Sequence, residues 1–336
     1  MANVIVIGSG KVGQELGRQL EAKQHTVLAT ATSKLVSWRG NQTPIRKVGD
    51  PGEICKALAP IIPDADAAML AIPNGDKGAA EMHYLRAFND KHKITCAKAA
   101  NAYRYGEVLK LGTPVGRRAT VGGGSDLLEV LRRRQIQDEK VLVYAVINGT
   151  ANDIWSTIQR GGSFPAAIEQ AKLMQYAEPG DHDPIDIVHG ELVDMTMKGA
   201  ITYNVALTKG GPYLSAADFK IFPLKRKDIM RLTSRNARYR YIVTFASVSD
   251  YDRIPKGTPG SIHARCGRWT IRGGFHDVKA ESPWFDWLRQ MDGVNNGFTI
   301  HNAFGQDTGN SLSGPGAGPE VTAKAMVRDL EDLLAA

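Results

Sequence analysis

Cysteine is scarce in this chain of 336 residues, which contains only Cys55, Cys96 and Cys266. Their odd number and wide spacing fit neither a disulfide framework nor the ligand set of a zinc site. We therefore expect reduced thiols and no bound metal.

Long hydrophobic runs are also missing. No segment approaches the roughly 20 uninterrupted apolar residues that span a bilayer, and no basic leader precedes the first apolar run at Val4. With 43% hydrophobic and 23% charged residues, the composition is that of a globular protein. We expect a cytoplasmic protein that binds no membrane, and the length fits two domains.

The net charge of +7 is concentrated in one segment. Between residues 220 and 240 eight basic residues stand beside one acid, Asp228. The basic residues are Lys220, Lys225, Arg226, Lys227, Arg231, Arg235, Arg238 and Arg240. We interpret the segment as a solvated helix and strand, with Arg238 and Arg240 on one face of the strand. Because no nucleic-acid fold signature accompanies it, we do not expect a nucleic-acid partner.

The chain opens with a βαβ pattern. A strand from Val4 to Ile7 precedes a glycine turn and an amphipathic helix with Val12, Leu16 and Leu20 on one face, and a second strand follows at residues 26–30. Further alternation of strands and helices predicts a doubly wound parallel sheet. From about residue 200 strand-like segments predominate, and the chain ends in a glycine loop and an amphipathic helix.

The segment "IGSGKVG" contains G-x-G-x-x-G between the first predicted strand and helix. Gly8 allows a tight turn, Gly10 lets a pyrophosphate approach the helix N-terminus, and Gly13 lets helix and strand pack closely. The alternative is a glycine turn in another α/β protein. The predicted cofactor-binding residues of this segment are Gly8, Ser9, Gly10, Lys11, Val12 and Gly13.

No acid follows the second predicted strand, where an NAD-specific site usually offers a carboxylate to the ribose hydroxyls. Thr32 and Ser33 can hydrogen-bond a 2′-phosphate, and Lys34 or Arg39 can neutralise it. We therefore predict NADP in preference to NAD. The alternative is that Lys34 and Arg39 are only solvated loop charges.

Other candidate residues follow predicted strands further along the chain. Ile72 and Pro73 end the apolar run "AAMLAIP" and are predicted to contact the cofactor. Lys98 in "ITCAKAANAY" stands at a carboxyl strand end, where open α/β sheets bind ligands, although it can equally be an exposed lysine. In "AVINGTANDIW", residues 148–150 form a turn and a helix N-cap whose amides and hydroxyl also suit a substrate carboxylate.

Asp194 and Lys198 are four positions apart in "GELVDMTMKG". An isolated pair at this spacing on a helix is usually a surface ion pair worth about 0.3–0.5 kcal/mol. The alternative is an acid and an amine held together for chemistry, since a positioned ammonium group can stabilise developing negative charge and donate a proton.

Several motifs occur together in the order found in homoserine dehydrogenases, and the chain resembles that family from end to end. These motifs are "IGSGKVG", "ITCAK", "VGGGSDLLEVLR", "VINGTANDIWSTI", "YAEP", the pair Asp194 and Lys198, and "LSGPGAGPEVTAKAMVRDL". Residues from about 205 to 290 match only in general texture. The resemblance implies NAD(P)-dependent reduction of L-aspartate 4-semialdehyde to L-homoserine, by a homodimer, in threonine and methionine biosynthesis.

The resemblance also implies an organisation and residue roles. Residues 1–130 form a Rossmann dinucleotide-binding domain, residues 131–305 a mixed α+β domain for substrate binding, catalysis and dimerisation, and residues 306–336 a loop and helix that return to the first domain. The loop places Gly316 and Gly318 near the cofactor. The implied catalytic residues are Lys98, Asp194 and Lys198. The implied substrate-binding residues are Gly149, Thr150, Glu178 and either Asp183 or Asp186, of which Asp186 is taken as the candidate.

The chain departs from the family pattern at two points that bear on function. Arg118 stands where the family usually has an acid of a monovalent-cation site, which puts that site in doubt. The segment from Glu178 to Asp194 is about five residues longer than usual, and we expect a lengthened loop near the substrate. A same-fold dehydrogenase of another hydroxy amino acid or semialdehyde is therefore an alternative, and a non-catalytic NADP-binding sensor or interaction protein is a second one.

Overall fold

A computed structural model describes residues 1–174, 176, 183–234, 239–247, 258–278 and 285–336. The chain divides into two compact units. The first comprises residues 1–120 and 318–336, and the second comprises residues 121–317. In the described part of the chain, no helix has the length and apolar character needed to cross a membrane.

The first unit is a three-layer α/β structure. Its elements up to residue 120 are β1 (Asn3–Ile7), α1 (Lys11–Ala22), β2 (Thr26–Ala31), β3 (Leu35–Trp38), β4 (Asn41–Pro44), α2 (Pro51–Leu58), β5 (Ala67–Leu70), α3 (Ala79–Ala87), β6 (His92–Thr95), α4 (Ala99–Tyr103), α5 (Tyr105–Val108) and β7 (Val115–Gly116). The strand order is β4-β3-β2-β1-β5-β6-β7. Strands β2, β1, β5, β6 and β7 are parallel, which confirms the predicted Rossmann sheet, and β3 and β4 extend it as an antiparallel hairpin.

Alternation along β1 fills both faces of this sheet. Val4 and Val6 pack in the layer of α1, with Leu16 and Leu20. Ile5 and Ile7 point the other way, into the layer that contains the apolar residues of α2 and α3. A strand that is apolar on both faces is expected at the centre of a sheet with helices on both sides. β1 therefore fixes the point where the chain order reverses, with β2 on one side and β5 on the other.

The second unit is built on an antiparallel sheet. Its elements are α6 (Leu127–Arg134), β8 (Val141–Val146), α7 (Gly149–Gln159), α8 (Phe164–Leu173), α9 (Pro184–Thr202), β9 (Lys220–Ile221), α10 (Arg226–Leu232), β10 (Tyr239–Ala246), β11 (Ile262–Cys266), β12 (Trp269–Asp277), α11 (Phe285–Arg289), β13 (Asn295–Asn302) and β14 (Asp307–Pro315). The strand order among the described residues is β14-β13-β8-β10-β12-β11-β9. Helices α7 and α8 contribute to one apolar cluster, and α11 to another that contains side chains of β8 and β10.

The C-terminal helix α12 (Pro319–Ala335) belongs to the first unit, as predicted. It packs against α1, β6 and β7. Met326 and Leu330 are buried in the same cluster as Leu16 and Leu20. The predicted glycine loop before this helix is wrong in its first part, because β14 continues to Pro315 and pairs with β13. Glycine and serine in β14 give a weak strand signal that pairing with β13 overrides.

The division between units falls at residues 120/121 and 317/318, whereas the sequence suggested 130/131 and 305/306. The difference has a packing reason in the second unit. Gly123 lies so close to Gly316 that an added Cβ would be 2.8 Å from the Gly316 oxygen. Residues 121–130 and β14 therefore belong with the antiparallel sheet. What each unit binds stays a prediction.

Arg118 ties α12 to the rest of the first unit. Its backbone N–H donates to Asp329 Oδ2 at 2.8 Å and its Nε donates to Asp329 Oδ1 at 3.2 Å, while a terminal nitrogen contacts Asp332. Both side chains of the Arg118–Asp329 pair are about 90% buried, at 10% and 11% exposure. Arg118, which stands where the family usually has an acid of a monovalent-cation site, is thus itself a cation that pairs with Asp329. Within the described ranges, no group of three His, Cys, Asp or Glu residues is arranged to hold a metal ion.

We predict that Arg118→Leu destabilises the protein by about 3 kcal/mol, because it leaves the buried Asp329 carboxylate without its partner. Burial already raises the pKa of Asp329 to about 6 in spite of Arg118. Since a protonated carboxyl needs no counter-charge, the loss should be larger at pH 8 than at pH 5 in urea unfolding. Asp332→Asn removes only the exposed partner and should cost less than about 1 kcal/mol. Equal losses in the two variants would contradict this account.

Candidate functional site

The glycine turn after β1 combines close packing with one open position. Gly8 has φ +112°, and an added Cβ would lie 2.1 Å from the Ala71 oxygen. An added Cβ at Gly13 would lie 2.0 Å from the Gly8 oxygen. Gly10, the N-cap of α1, has no atom within 4 Å of its ideal Cβ position. Packing thus requires two of the glycines, whereas the third leaves open space at a helix N-terminus, which fits the approach of a pyrophosphate.

The neighbours of these glycines differ in their surroundings. Ser9 and Lys11 are exposed beside the open position. Val12 instead packs its side chain against the core under α1. Only the backbone of Val12 is therefore suited to a cofactor role.

The edge of the sheet at the carboxyl end of β2 holds more basic residues than the sequence pattern suggested. Thr32 Oγ1 accepts hydrogen bonds from the N–H groups of Lys34 (3.1 Å) and Leu35 (3.0 Å) and so shapes the turn into β3. The hairpin β3–β4 then returns the chain to this edge, where Ile45 N–H donates to the Lys34 oxygen at 2.8 Å. Arg46 and Lys47, which follow directly, are new candidates for binding a phosphate beside Lys34.

Gly40 was a sequence signal for this return of the chain, because glycine favours the positive φ that a two-residue hairpin connection needs. Arg39 and Gly40 both have positive φ and form the two-residue connection of the β3–β4 hairpin. The same hairpin carries Arg39 to the opposite edge of the sheet, because β3 runs antiparallel to β2. There its guanidinium lies 5.0 Å from the Trp38 ring centroid and 3.9 Å from Asp64. The structure does not bring Arg39 together with Thr32, Ser33 and Lys34.

Ile72, Pro73 and Lys98 meet at the carboxyl edge of β5 and β6. The N–H of Ala71, after β5, donates to the Ile7 oxygen at 2.7 Å. Asn74 Oδ1, after Pro73, accepts from the Lys98 N–H at 2.6 Å. This edge also carries Gly8, so the predicted cofactor residues and Lys98 share one end of the sheet. Asn74 was missed because an asparagine after proline normally indicates only a turn.

A buried acid lies behind Lys98. Glu81, in α3, is 2% exposed and accepts hydrogen bonds from Thr95 Oγ1 at 2.9 Å and from the Ala100 N–H at 2.7 Å. These two partners flank Lys98 on both sides. Burial raises the pKa of the Glu81 carboxyl from 4.5 to about 7. Sequence reasoning missed Glu81, since a lone glutamate in a helix normally faces solvent.

In the second unit, Asp194 and Lys198 form a half-buried pair on α9. Lys198 Nζ lies 2.7 Å from Asp194 Oδ2, and the two side chains are 12% and 19% exposed. Asn148 Nδ2 donates to Asp194 Oδ2 at 3.0 Å and to Glu191 Oε2 at 2.6 Å. The pair is therefore not a solvated surface ion pair. Glu191 was missed, although its position three residues before Asp194 puts both acids on one helix face.

The turn of residues 148–150 is held at this cluster. Asn148 Oδ1 accepts from the Ala151 N–H at 2.7 Å, which confirms the predicted N-cap. Thr150 Oγ1 donates to the Tyr176 oxygen at 2.8 Å. An added Cβ at Gly149 would lie 2.8 Å from the Val294 oxygen, so close backbone packing requires this glycine.

The remaining substrate candidates are not gathered at the pair. Asp186 is exposed in the first turn of α9, eight residues before Asp194, which is about 12 Å along a helix. Glu178 lies outside the described residues. The expected lengthened loop is wrong from Pro184 onward, because α9 begins there with Asp183 as its N-cap. The Asp-Pro pair before a run of spaced apolar residues was the overlooked helix start.

The two C-terminal glycines have different surroundings. Gly316 packs closely against Asn296, since an added Cβ would be 2.2 Å from Asn296 Cγ. Packing inside the second unit is thus enough to explain this glycine. Gly318, with φ +120°, precedes α12 in the first unit. Whether either residue binds a cofactor stays a prediction.

The prediction that the basic segment 220–240 is solvated is wrong at Arg240, in β10. Arg240 is buried at 6% exposure, and its Nη2 lies 3.6 Å from Asp292. The aliphatic part of a long arginine side chain can pack in a protein interior when a carboxylate is close to its head. Arg235 and Arg238 lie outside the described residues.

The homoserine dehydrogenase family model matches residues 127–330, which is more than half of the chain. A homoserine dehydrogenase of Pseudomonas aeruginosa is 27% identical over 260 residues, covering 74% of this chain and 52% of that protein. This chain thus spans about half of that relative's length.

Two solved structures are similar along nearly their whole length. A homoserine dehydrogenase from Thermoplasma acidophilum has a TM-score of 0.71 at 18% identity, covering 100% of this chain and 99% of that one. A hyperthermophilic archaeal homoserine dehydrogenase in complex with NADPH has a TM-score of 0.67 at 19% identity, covering 99% and 98%. At these identities the likeness establishes the fold.

We predict that ionisation of Glu81 weakens the folded state. The folded protein retains this proton up to about pH 7, whereas the unfolded chain releases it near pH 4.5. The free energy of unfolding should therefore contain a component that falls as the pH rises from about 4.5 through about 7. Urea unfolding of wild type and Glu81→Gln at several pH values measures it. The variant should lack this component, and identical pH profiles would contradict the assignment.

Proposed function

The chain belongs to the homoserine dehydrogenase family, and from that premise we propose that it reduces L-aspartate 4-semialdehyde to L-homoserine. The observation that carries the proposal is the half-buried Lys198–Asp194 pair at 2.7 Å, fixed by Asn148. A lysine that is largely buried and held by an acid, which is itself held by an amide, suits proton transfer better than a surface ion pair. The biosynthetic role towards threonine and methionine, a homodimer and a cytoplasmic location remain predictions from the resemblance.

The cofactor proposed is NADP or NAD. The open space over Gly10 at the start of α1 fits a pyrophosphate, and the edge with Ser33, Lys34 and Arg46 favours a 2′-phosphate. Ile72 and Pro73 lie at the same end of the sheet and are proposed to contact the cofactor. When bound, the nicotinamide supplies the hydride for the reduction.

Lys198 is proposed to act on the substrate oxygen. Its ammonium group has three N–H donors, so it can hold Asp194 and still bind the aldehyde oxygen. As negative charge develops on that oxygen, the ammonium stabilises it and donates the proton. Asp194 orients the lysine, and Asn148 keeps Asp194 in place. Lys98 is proposed as a second participant in proton transfer. Its backbone N–H is held by Asn74, and Glu81 holds the residues on either side of it.

The acids of the second unit are proposed to recognise the amino group of the substrate. Glu191 lies beside Asp194 on the Asn148 amide, and Glu178 keeps this role by resemblance. Gly149 and Thr150 are proposed to bind the substrate at the start of α7. The segment before Asp194, which is about five residues longer than the usual family spacing, is the reason for the alternative of another hydroxy amino acid or semialdehyde.

We predict that Lys198→Ala lowers kcat/KM for homoserine oxidation at least about 100-fold, because the proton-transfer group is lost. NADPH affinity, measured by fluorescence titration, should change less than about twofold, since the cofactor is proposed to bind the first unit. Lys209→Ala is the matched control, because Lys209 is an exposed lysine 11 positions after Lys198. This variant should keep normal kinetics.

Near-normal turnover of Lys198→Ala would remove Lys198 from the mechanism. If wild type oxidised another hydroxy amino acid but not homoserine, the same-fold alternative would replace the proposal. Tight NADPH binding without turnover of any substrate would favour a sensor.

We predict that Arg46→Ala raises the KM for NADPH about tenfold while leaving the KM for NADH unchanged, because only NADPH carries the 2′-phosphate that a guanidinium can bind. Lys34→Ala should act in the same direction. Arg39→Ala is the control, since Arg39 lies at the other edge of the sheet, and it should affect neither cofactor. A stronger effect at Arg39 than at Arg46 would overturn this assignment.

A further inference from the structure

A cavity lined by arginines lies in the second unit, at the end of α7 opposite Asn148. Its volume is about 310 Å³. The polar residues that line it are Ser156, Gln159, Arg160, Arg240, Arg289 and Asp292, and Val278 and Leu288 form an apolar part. Since α7 has 11 residues, the cavity is about 15 Å from the Asn148 cluster along the helix axis. The proposed reaction therefore makes no use of it.

The charges in this cavity are unbalanced. Three guanidinium groups, those of Arg160, Arg240 and Arg289, line it together with one carboxylate. That carboxylate, Asp292, is held mainly by Arg160, at 2.9 and 3.0 Å. Arg289 has a separate partner in the exposed Asp286 at 2.5 Å. Among the described residues, the cavity lining thus carries three guanidinium groups and one carboxylate, and the carboxylate that pairs with Arg289 is not part of that lining.

Arg240 is the least satisfied of the three. Its side chain is 7% exposed, yet its Nη2 is 3.6 Å from Asp292. Its other contacts are with the oxygens of Met291 and Tyr239, both at 3.4 Å. These distances exceed the 2.7–3.2 Å of good N–H···O hydrogen bonds, and a buried cation without close partners is costly. Burial lowers the pKa of Arg240 to about 10 in keeping with this shortage.

We propose that this cavity binds a small oxyanion, with Arg240 and Arg160 as its principal ligands. A planar guanidinium offers paired N–H donors that match two oxygens of a phosphate or carboxylate. The volume lies near the lower limit of small-molecule sites, which suits inorganic phosphate, a compact phosphomonoester or a short dicarboxylate. The apolar part at Val278 and Leu288 can hold a short carbon chain.

The loop of residues 291–295 connects this site to the start of α7. Asn152 Nδ2 donates to the oxygens of Met291 at 2.7 Å and Gly293 at 2.9 Å. The Val294 oxygen packs on Gly149, next to the Asn148 cluster. An anion that draws Arg240 away from Met291 and Asp292 therefore acts on a loop in contact with the candidate substrate turn. The site is suited to an effector.

The test is binding of inorganic phosphate to the full chain without cofactor, measured by calorimetry and by thermal unfolding at constant ionic strength. We expect saturable binding and a rise in Tm of about 2 °C or more at saturation. Arg240→Met, which keeps the apolar stem, should weaken binding at least about tenfold. Arg134→Met, at an exposed arginine of α6, is the control and should bind as wild type does.

Because phosphate can also enter the glycine turn after β1, the variants decide the outcome. Unchanged phosphate affinity in Arg240→Met and Arg160→Met, or no binding by wild type, would overturn the proposal. If Arg240→Met does not fold, Arg160→Met carries the comparison. The same titration with succinate in place of phosphate distinguishes a site for dicarboxylates from a site for phosphate. None of these measurements depends on dehydrogenase activity, so the site and the proposed function can fail separately.

Discussion

The side chain of Asn148 makes three hydrogen bonds on which the candidate active site depends. Its oxygen caps α7 through Ala151, and its amide nitrogen binds Glu191 and Asp194 of α9. The two acids accept only, so the NH₂ group must face α9 and the oxygen must face α7. One neutral amide with fixed polarity therefore sets the start of one helix and the orientation of the acid that holds Lys198. An aspartate could cap the helix equally well, but it would place a third carboxylate against the other two.

Much of the first unit could be predicted from the sequence because its signals are local. The glycine pattern stands directly between β1 and α1, continuous apolar runs mark the central strands, and an apolar period of 3.6 residues marks the helix α1. Arg39 shows the limit of that reasoning. Its distance in sequence from Thr32 is small, yet strand β3 lies between them and, running antiparallel to β2, carries Arg39 to the other edge of the sheet. Arg46, which is further along the chain, returns to the edge of Lys34 by the second strand of the same hairpin.

The residues that support the candidate site were harder to find for a different reason. Glu81, Asn74 and Asn148 act through partners that are far away in sequence: Glu81 reaches Ala100, and Asn148 reaches Asp194. No spacing rule connects such positions, because the contacts arise only when strands and helices pack. Glu191 is the exception, since its spacing to Asp194 marks the same helix face. Glu191 was overlooked because the pairing of Asp194 with Lys198 already explained an acid on this helix face.

Buried charge is treated differently in the two units. In the first, Arg118 and Asp329 pair at 3.2 Å, and each satisfies the other at the base of α12. In the second, Arg240 is buried to a similar degree, but the closest carboxylate in the described part of the chain, that of Asp292, is shared with Arg160 and lies at 3.6 Å. A protein that only needed to hold β10 against residues 288–292 could do so more cheaply with an apolar side chain, because replacing buried ions by well-packed apolar residues is often neutral or stabilising. The retained, poorly paired guanidinium beside an open cavity is therefore better explained by a ligand than by packing.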